Sequence, residues 1–525
     1  MTNIRKRYRS IGWSRLHTQD RWSSAARIAD IVAWPIGLTV LVAVVVLLLA
    51  HAADRYHVTY ISGTWIALAQ AANEGQFYPP LFDGDHYGGT RYMPVPVLLH
   101  AGAARLTGEY LLSGKLLDFA TTALLLGLLY GIIVRRGGQH RLGVVLVAGV
   151  VAGEVGLIAA FGIRHEAIPT GLQLAAIALV ASRRGSATIV ALAAILCVLA
   201  FFSKLSAVYS VLVILILLWR DRTSLATFVV IGLVGLVSGL AIMELLSDGR
   251  FAETILQSAI GNYSVERVLA APARLVWLLR YTPATLLLLS YVVIVLVRSR
   301  RRQPAPYALA LVLAGLITTA VLLDRGASGN HLLDLVVLTP IVALDSATAA
   351  LAGAPGHRPL FGKEAVSRTL PLVASLGAVL ALGAFVADEL PGAVGQLRTG
   401  VVEQRYDARP LPPAGGADTL LSEDPYLPVS LGQRPVILDP FLLSRLGERH
   451  PEWIQSLAQR VERAEFARVV LLMDINDSDA EAWYTGNHLG LPILSAMRES
   501  YDLGERIPAT GTWLGMYFVY VPKSP

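Results

Sequence analysis

Long apolar runs separated by short basic segments dominate this chain of 525 residues. Eleven of the runs approach or exceed the length of a membrane-crossing helix, which takes about 20 residues. The predicted spans are residues 31–53, 112–134, 142–162, 166–181, 187–203, 205–219, 225–246, 282–298, 306–323, 332–350 and 369–389. The pattern therefore predicts a polytopic α-helical membrane protein with about 11 transmembrane helices.

The positions of the basic residues predict how the chain is oriented, because loops rich in Lys and Arg stay on the cytoplasmic side. Residues 1–30 form a basic tail, and the loops that would share its side carry Arg135, Arg183, Arg220 and Arg300. We therefore expect a multi-pass protein of the inner (plasma) membrane with a cytoplasmic N-terminus. Eleven spans then place the C-terminal part outside the cytoplasm.

The segment after the first span, residues 54–111, is too long and too polar to be a simple turn. Long loops between regular elements usually carry function or a folded subelement. Its stretch Ser62–Gln76 has helical periodicity, with Ser62 as a plausible N-cap and Gly75 as a plausible stop. Residues 95–107 predict a second short apolar helix. We expect this first outer loop to hold part of the functional site.

Composition supports a membrane protein and excludes several other classes. The chain is 54% hydrophobic and 16% charged, whereas soluble proteins are about 25% charged. The net charge of +6 lies mostly in the short loops, so it indicates topology rather than a nucleic-acid partner. The single cysteine, Cys197, excludes a disulfide framework and a cysteine-based metal site.

The chain changes character after residue 390. Residues 391–416 are rich in Pro, Gly and charge and predict a linker, and residues 417–525 alternate strand and helix patterns. This alternation predicts a small C-terminal α/β domain outside the cytoplasm, which caps the membrane domain or recognises an acceptor. The predicted strands are Thr419–Ser422, Pro435–Leu438, Arg468–Met473 and Met516–Val521, and the predicted helices are 440–447, 451–464 and 478–499, the last opened by a Ser478–Glu481 capping box.

Polar residues from separate stretches converge on the outer side of the predicted membrane. They are Asp54, Arg91, Arg164, His165, Glu166, Lys204, Arg325, Asn330, His331 and Asp334. Charges at membrane depth are costly and usually functional or paired. Arg and Lys could bind the phosphate of a lipid substrate, while a carboxylate takes a proton from an attacking hydroxyl. A single inverting displacement on a lipid-phosphate sugar needs only these groups.

The same features resemble a known superfamily. An acid early in a long outer loop, an amphipathic helix, the turn Gly75-Gln76-Phe77-Tyr78-Pro79 and a basic residue before Pro94 are similar to those of the GT-C polyprenyl-phosphate-dependent glycosyltransferases. The nearest groups are the aminoarabinose transferases of lipid A and the protein O-mannosyltransferases. The resemblance covers the membrane part and implies a GT-C-like fold, a polyprenyl-phosphate sugar as donor, and a glycan, lipid or protein as acceptor. It implies no cofactor.

The resemblance also implies residue roles. Asp54 matches the general base, Arg91 and Lys204 match basic residues near the donor, and Glu166 is the candidate catalytic carboxylate of the second outer loop. Arg55 departs from the family pattern, so Asp83 and Asp85 stay open as alternative bases. The full set expected to bind substrate is Arg91, Tyr92, Arg164, His165, Lys204, Arg325, Asn330 and His331.

Each of these residues also has a structural interpretation. Asp83 and Asp85 flank Gly84, where Asp commonly forms turns, and Lys204 could anchor a helix end at the membrane surface. No metal site is predicted, since Asp83-Gly84-Asp85 alone is weak evidence for a divalent ion. Glu154 lies within the predicted span 142–162, where a bare charge would be costly.

Two functions of different classes follow. The leading one is an integral-membrane inverting glycosyltransferase that moves a sugar from a polyprenyl-phosphate donor to an acceptor on the outer face, in glycan, lipid or protein assembly of the cell envelope. The alternative is a polytopic transporter or a flippase for a lipid-linked substrate. Transporters often show repeated halves with polar groups at the bilayer midplane, whereas here the polar groups gather at one face.

Overall fold

The computed structural model of the chain is mostly helical. It describes residues 34–47, 60–137, 139–182, 186–259, 265–299, 305–324, 326–352, 363–388, 419–509 and 515–524, together with positions 31, 49 and 51. The predicted basic tail, the whole predicted linker 391–416 and the candidate residues Asp54 and Arg325 lie outside these ranges.

The helices up to residue 388 follow the predicted apolar runs and add several in the loops. They are α1 (Trp34–Leu47), α2 (Tyr60–Asn73), α3 (Pro94–Thr107), α4 (Tyr110–Arg135), α5 (His140–Val151), α6 (Glu154–Phe161), α7 (Ala167–Ser182), α8 (Ala187–Phe201), α9 (Tyr209–Leu218), α10 (Arg222–Leu246), α11 (Arg250–Ala259), α12 (Val265–Leu279), α13 (Pro283–Ser299), α14 (Pro306–Val321), α15 (Leu333–Ala352) and α16 (Lys363–Asp388). A short 3₁₀ turn, Gly329–Leu332, leads into α15.

Three helical stretches in the described part of the chain are long and apolar enough to cross a membrane by themselves. They are α4, α10 and the stretch Gly329–Thr348, which contains most of α15. The number rises to five if each of two bent helix pairs counts as one span. Shorter apolar helices of 10–17 residues occupy the positions of the other predicted spans.

The predicted span 142–162 is broken rather than continuous. Helices α5 and α6 meet at an angle of 78°, with Gly153 as the N-cap of α6. A Cβ at Gly156 would lie 2.2 Å from the carbonyl oxygen of Val150, so only glycine permits this close turn. Glu154 therefore sits in the first turn of α6, where the helix dipole favours an acid, and not in the middle of a span as predicted.

The segment between the predicted spans 225–246 and 282–298 is also helical. It contains α11 and α12, and α12 meets the apolar helix α13 at 115°. Helix α12 has exposed apolar residues, including Val265 and Leu269, together with charged ones. An amphipathic pattern of this kind does not register as a span in a hydropathy scan.

The C-terminal part is built on a mixed sheet of four strands. The strands are β1 (Leu420–Ser422), β2 (Arg468–Leu471), β3 (Tyr501–Ala509) and β4 (Gly515–Pro522), in the order β1-β2-β4-β3. Strands β1 and β2 are parallel, and the other pairs are antiparallel, with Val470 opposite Val519 in the β2–β4 pair. The helices of this part are α17 (Tyr426–Ser430), α18 (Pro440–Gly447), α19 (Pro451–Glu462), α20 (Ala480–Asn487) and α21 (Leu491–Ser500).

Three local predictions in the C-terminal part were wrong. Residues 435–438 form no strand but a single bridge from Ile437 to Tyr87. The predicted helix 478–499 is two helices, since Gly490 between them has a φ of 90°, and the N-cap of the first is Asp479 rather than Ser478. Strand β3 was not predicted, because its sequence YDLGERIPA contains Gly, Pro and three charges.

The first outer loop and the C-terminal part share one hydrophobic core. Trp65 and Leu68 of α2 belong to the same buried cluster as Leu427, Tyr517 and Val519. The backbone of Tyr87 adds two hydrogen bonds, from its N–H to the Val436 carbonyl (2.7 Å) and to its carbonyl from the Leu438 N–H (2.9 Å). The C-terminal part is therefore fixed directly onto the loop that leads into the site.

Replacing Gly63 by Ala should destabilise this shared core. A Cβ at Gly63 in α2 would lie 2.2 Å from Asp424 Oδ1 and 2.9 Å from the Tyr426 nitrogen, and overpacking of this kind costs about 1–3 kcal/mol. The matched control is Gly102→Ala in α3, where a Cβ meets nothing within 4 Å. Thermal unfolding of the detergent-solubilised variants would measure the difference. An equal or higher midpoint for Gly63→Ala would contradict the packing described here.

Candidate active site

One large cavity lies where the predicted outer loops meet. Its volume is about 380 Å³. It is lined by residues from α2, from the segments around positions 91, 164 and 204, from α11 and from the stretch 320–331. Eight of the residues predicted from the sequence to act on substrate line it together: Arg91, Tyr92, Arg164, His165, Glu166, Lys204, Asn330 and His331.

The alternative bases Asp83 and Asp85 are not among the described residues that line this cavity. Asp83 lies in a turn, where its carboxylate accepts the His86 N–H at 2.8 Å and pairs with Arg434 at 2.9 Å. Burial alone would raise the pKa of Asp83, but the His86 N–H and the Arg434 charge lower it overall. The geometry here is that of a structural turn.

The turn between α6 and α7 supplies three of the cavity residues and has an unusual backbone. Ile163 and His165 have positive φ values of 44° and 54°, and such conformations cost about 1–3 kcal/mol each in non-glycine residues. The fully buried carboxylate of Asp118, in α4, holds the turn. It accepts the Arg164 N–H (2.9 Å) and the His165 N–H (3.0 Å), and it contacts His165 Nδ1 at 2.5 Å. These bonds fix where the next side chains point.

Glu166 is fully engaged by its neighbours in the cavity. Its Oε2 pairs with Lys204 Nζ at 2.5 Å, and its Oε1 accepts a hydrogen bond from Asn330 Nδ2. Asn330 is in turn oriented by Ser328, whose hydroxyl donates to Asn330 Oδ1 at 2.6 Å. The Lys204 charge is therefore compensated, and both carboxylate oxygens of Glu166 are occupied.

Arg164, in contrast to Glu166, has few hydrogen-bond partners among the described residues. The residue is 9% exposed, its NH1 makes one long contact of 3.4 Å to Ser328 Oγ, and its buried Nε has no hydrogen-bond partner in the part of the chain that the structure describes. A buried guanidinium without a carboxylate partner is costly unless an anion binds it. Its five N–H donors match the geometry of a phosphate.

Arg91 lies at the rim, beneath the C-terminal part. Its guanidinium carbon is 4.4 Å from the ring centroid of Phe441 in α18, and the carboxylates of Asp439 and Asp324 are near enough to favour its charged form. On the same rim Arg445 pairs with Asp324 at 2.8 Å. From below, Arg274 donates to the carbonyls of Leu322 and Asp324. Helix α18 therefore packs against Arg91 and Asp324, two residues of the cavity wall.

Two contacts fasten the segments on either side of Asp54 to the same α6–α7 turn. The His51 ring nitrogen Nε2 lies 3.3 Å from the Phe161 carbonyl oxygen, and the Ser62 hydroxyl donates to the Gly162 carbonyl at 2.5 Å. Lys115 Nζ also donates to the His51 carbonyl at 2.7 Å. Residues close to Asp54 in sequence on both sides are thus held beside the cavity wall.

Asp334, also predicted to converge here, faces a smaller neighbouring cavity. It accepts a hydrogen bond from the Tyr209 hydroxyl at 3.2 Å. Lys204 and His331 line both cavities, so Asp334 lies behind them rather than in the main site.

The prediction omitted the residue that organises the site, Asp118, and its neighbour His100. Asp118 lies inside the predicted span 112–134, and an ionisable residue within a span is itself a signal of function or pairing. His100 could not have been found in this way, because a histidine on a short apolar helix is most often structural.

No protein-family model matches the chain, and no curated protein matches it. Solved structures do match. The crystal structure of ArnT from Cupriavidus metallidurans in the apo state has a TM-score of 0.55 at 14% identity over 92% of this chain and 97% of ArnT. The same enzyme bound to undecaprenyl phosphate gives a TM-score of 0.54 at 14% identity, with the same shares covered.

The archaeal oligosaccharyltransferase AglB from Archaeoglobus fulgidus, in complex with an inhibitory peptide and a dolichol-phosphate, has a TM-score of 0.48 at 12% identity. That match covers 95% of this chain and 74% of AglB, and its score is too low to support an argument. The ArnT matches extend over almost the whole of both chains. The predicted resemblance is therefore confirmed at the level of the fold, and this chain is similar in architecture to ArnT.

Proposed function

We propose that this chain is an integral-membrane glycosyltransferase that takes a sugar from a polyprenyl-phosphate donor and transfers it, with inversion, to an acceptor on the outer face of the membrane. The observation that carries the proposal is the buried Arg164 guanidinium, which has no carboxylate partner among the described residues and lines a cavity of about 380 Å³. A cavity of this size suits a sugar phosphate, since ligand sites span about 300–1,000 Å³.

The cavity combines polar and apolar walls in the way that a lipid-linked sugar requires. Arg164 and Lys204 lie near Ile61, Leu205 and Val321 on its surface. Leu205 is 44% exposed and lies next to the cationic Lys204. The phosphate would bind the guanidinium, and the first isoprene units would contact the apolar wall. The structural neighbour ArnT has been crystallised with undecaprenyl phosphate, which agrees with this donor class.

The proposed reaction is a single displacement at the anomeric carbon. The acceptor hydroxyl loses its proton to a carboxylate as its oxygen bonds to the anomeric carbon, and the bond from that carbon to the phosphate oxygen breaks. Polyprenyl phosphate leaves with the bonding electrons and is stabilised by Arg164. The proposal includes no cofactor and no metal.

Asp54 remains our proposed base, although it lies outside the described residues. Glu166 is less suited to that role, because Lys204 and Asn330 already occupy both of its oxygens. We assign Glu166 to holding Lys204 and Asn330 in place. The acceptor, whether glycan, lipid or protein of the cell envelope, would approach beneath the C-terminal part.

Arg164→Gln should weaken binding of undecaprenyl phosphate by about 10–100-fold, because hydrogen bonds to charged groups contribute about 1.5–3 kcal/mol. Arg164→Lys should retain part of the affinity, since it keeps the charge but loses the planar donor array. Equilibrium binding to the purified protein in detergent measures both. The control is Arg463→Gln, at a side chain 62% exposed on the C-terminal part. Wild-type affinity in a folded Arg164→Gln protein would refute the proposed donor site.

Asp54→Asn should lower the rate of transfer by at least about 10²-fold, the usual contribution of a general base, and leave donor binding nearly unchanged. Asp83→Asn and Asp85→Asn are the controls and should retain transfer, because their turn lies away from the cavity. The assay is release of polyprenyl phosphate from a panel of polyprenyl-phosphate sugars incubated with crude membranes, followed by mass spectrometry. Full activity of Asp54→Asn would exclude Asp54 as the base.

The same preparation separates an enzyme from a transporter. Sealed vesicles containing the protein should release polyprenyl phosphate and form a glycosylated product. Movement of the intact donor across the bilayer without any cleaved product would instead favour a flippase.

A further inference from the structure

Helix α12 has an unusual distribution of apolar and charged residues between its two faces. Its exposed face is almost entirely apolar: Val265 is 79% exposed, Leu269 75% and Val276 64%. These positions are spaced by four and seven residues and therefore lie on one stripe of the helix. The two arginines of the helix, Arg267 and Arg274, are only partly exposed and lie on the opposite side. The apolar face of α12 is thus turned away from the protein.

The opposite face of α12 is fixed to the wall of the cavity. Arg274 donates from NH1 to the carbonyl oxygens of Leu322 (3.0 Å) and Asp324 (2.8 Å), and from NH2 to the carbonyl oxygen of Ala327. Asp324 and Ala327 line the cavity. On the same side of the helix, the buried Leu278 packs into the core of the helical part. The position of α12 therefore helps to set the position of this part of the wall.

The exposed face of α12 continues onto an apolar face of the next helix. Helix α13 exposes Leu286, Val293 and Ile294, and the sequence predicts a membrane span over these residues. Together α12 and α13 are long and apolar enough for one membrane span, but the chain bends by 115° between them. A bend so near a right angle excludes a straight span. If α13 crosses the bilayer, α12 lies close to the plane of its surface.

Both ends of α12 carry residues that suit the boundary between a membrane and water. Trp277 is 50% exposed, and the guanidinium carbon of Arg280 lies 3.8 Å from its ring centroid and 4.6 Å from that of Tyr281. Trp and Tyr are enriched at the headgroup level of membranes, and Arg extends its charge towards the headgroups. At the other end Glu266 is exposed in the first turn. A protein partner would explain the exposed apolar face, but not its continuity with α13 or this aromatic and basic end.

We propose that the apolar face of α12 lies in the interface of the lipid bilayer, and that Arg274 is a positioning residue that uses this contact to hold the cavity wall at the level of the lipid headgroups. An interfacial amphipathic helix inserts its apolar face about 5–10 Å into the boundary between headgroups and acyl chains. The contact with lipid follows from α12 and α13 alone, whereas its purpose rests on the proposed function. The phosphate of a polyprenyl phosphate lies at the headgroup level, so a wall held there meets it directly.

Quenching by spin-labelled lipids measures the depth of α12. In protein carrying Cys197→Ala, a fluorophore is attached through Leu269→Cys, and the protein is placed in nanodiscs whose phospholipids carry a nitroxide near the top or near the end of an acyl chain. The shallow nitroxide should quench the label more strongly than the deep one. Val234→Cys, at a residue 61% exposed in the candidate span α10, is the deep control and should show the reverse. Arg463→Cys, at a side chain 62% exposed on the C-terminal part, should be quenched by neither.

Two results would overturn the membrane contact. Stronger quenching of the Leu269→Cys label by the deep nitroxide would make α12 a spanning segment. A label that neither lipid quenches would mean that water, a partner protein or a second copy of the chain covers this face.

Substitution tests the coupling of α12 to the cavity. Arg274→Gln should lower the affinity for undecaprenyl phosphate in nanodiscs about tenfold, because charge-assisted hydrogen bonds to the wall are lost, and leave the depth of the Leu269→Cys label unchanged. Arg274→Lys should restore part of the affinity, since it keeps the charge. Leu269→Asp should also weaken binding, because a carboxylate on this face opposes insertion into lipid. Leu491→Asp, at an exposed leucine of the C-terminal part, is the matched control and should bind normally.

The outcomes for membrane contact and for function are separable. Wild-type affinity in a folded Arg274→Gln or Leu269→Asp protein would contradict the coupling. A wild-type protein that shows shallow quenching of α12 but does not bind undecaprenyl phosphate would refute the proposed function and leave the membrane contact standing.

Discussion

The carboxylate of Asp118 is the constraint on which the site depends. It lies within α4, a candidate membrane span, where an isolated charge would be costly, and it is compensated by two backbone N–H groups and the His165 ring. In return it holds Ile163 and His165 in backbone conformations that these residues adopt rarely. Charge-assisted hydrogen bonds of about 1.5–3 kcal/mol each are large enough to offset strain of that size. The direction of Arg164 and Glu166 follows from this turn.

The distribution of charge around the cavity is uneven in a way that suits an anion. Its described carboxylates are engaged: Glu166 by Lys204, and Asp324 by Arg445. Among the described residues Arg164 makes no ion pair, while Arg91 interacts electrostatically with Asp439 and Asp324. The cavity thus carries an excess of positive charge on partly apolar walls. The low local dielectric strengthens the attraction between an unpaired cation and an anion relative to water. This arrangement favours a phosphate on a lipid over a neutral ligand.

Sequence could predict the cavity residues because topology constrains them. Four separate stretches, around positions 91, 164, 204 and 330, fall at the outer ends of predicted helices, and helices that share a membrane bring such ends to one level. It could not predict the pairing of Asp118 with His165, since hydropathy reports the preferred solvent of a segment and not its partner. For the same reason it joined α5 and α6 into one span. The 78° bend between α5 and α6 depends on the close packing that Gly156 permits. Hydropathy also does not identify the amphipathic α12 as a helix, because α12 lacks a continuous apolar run.

The shared core of the first outer loop and the C-terminal part extends this constraint to the mouth of the cavity. Phe441 of α18 contacts Arg91, and a Cβ at Gly326 would lie 2.4 Å from that ring, so the loop and the helix fit closely. Because α2 belongs to the same core, a shift of the C-terminal part would also move Trp65, which packs on His165. A displacement of the sheet would therefore be transmitted to the cavity wall that carries the charged residues. Without it, the helical part would lose the packing that supports α2 and Arg91, both of which contribute to the cavity wall.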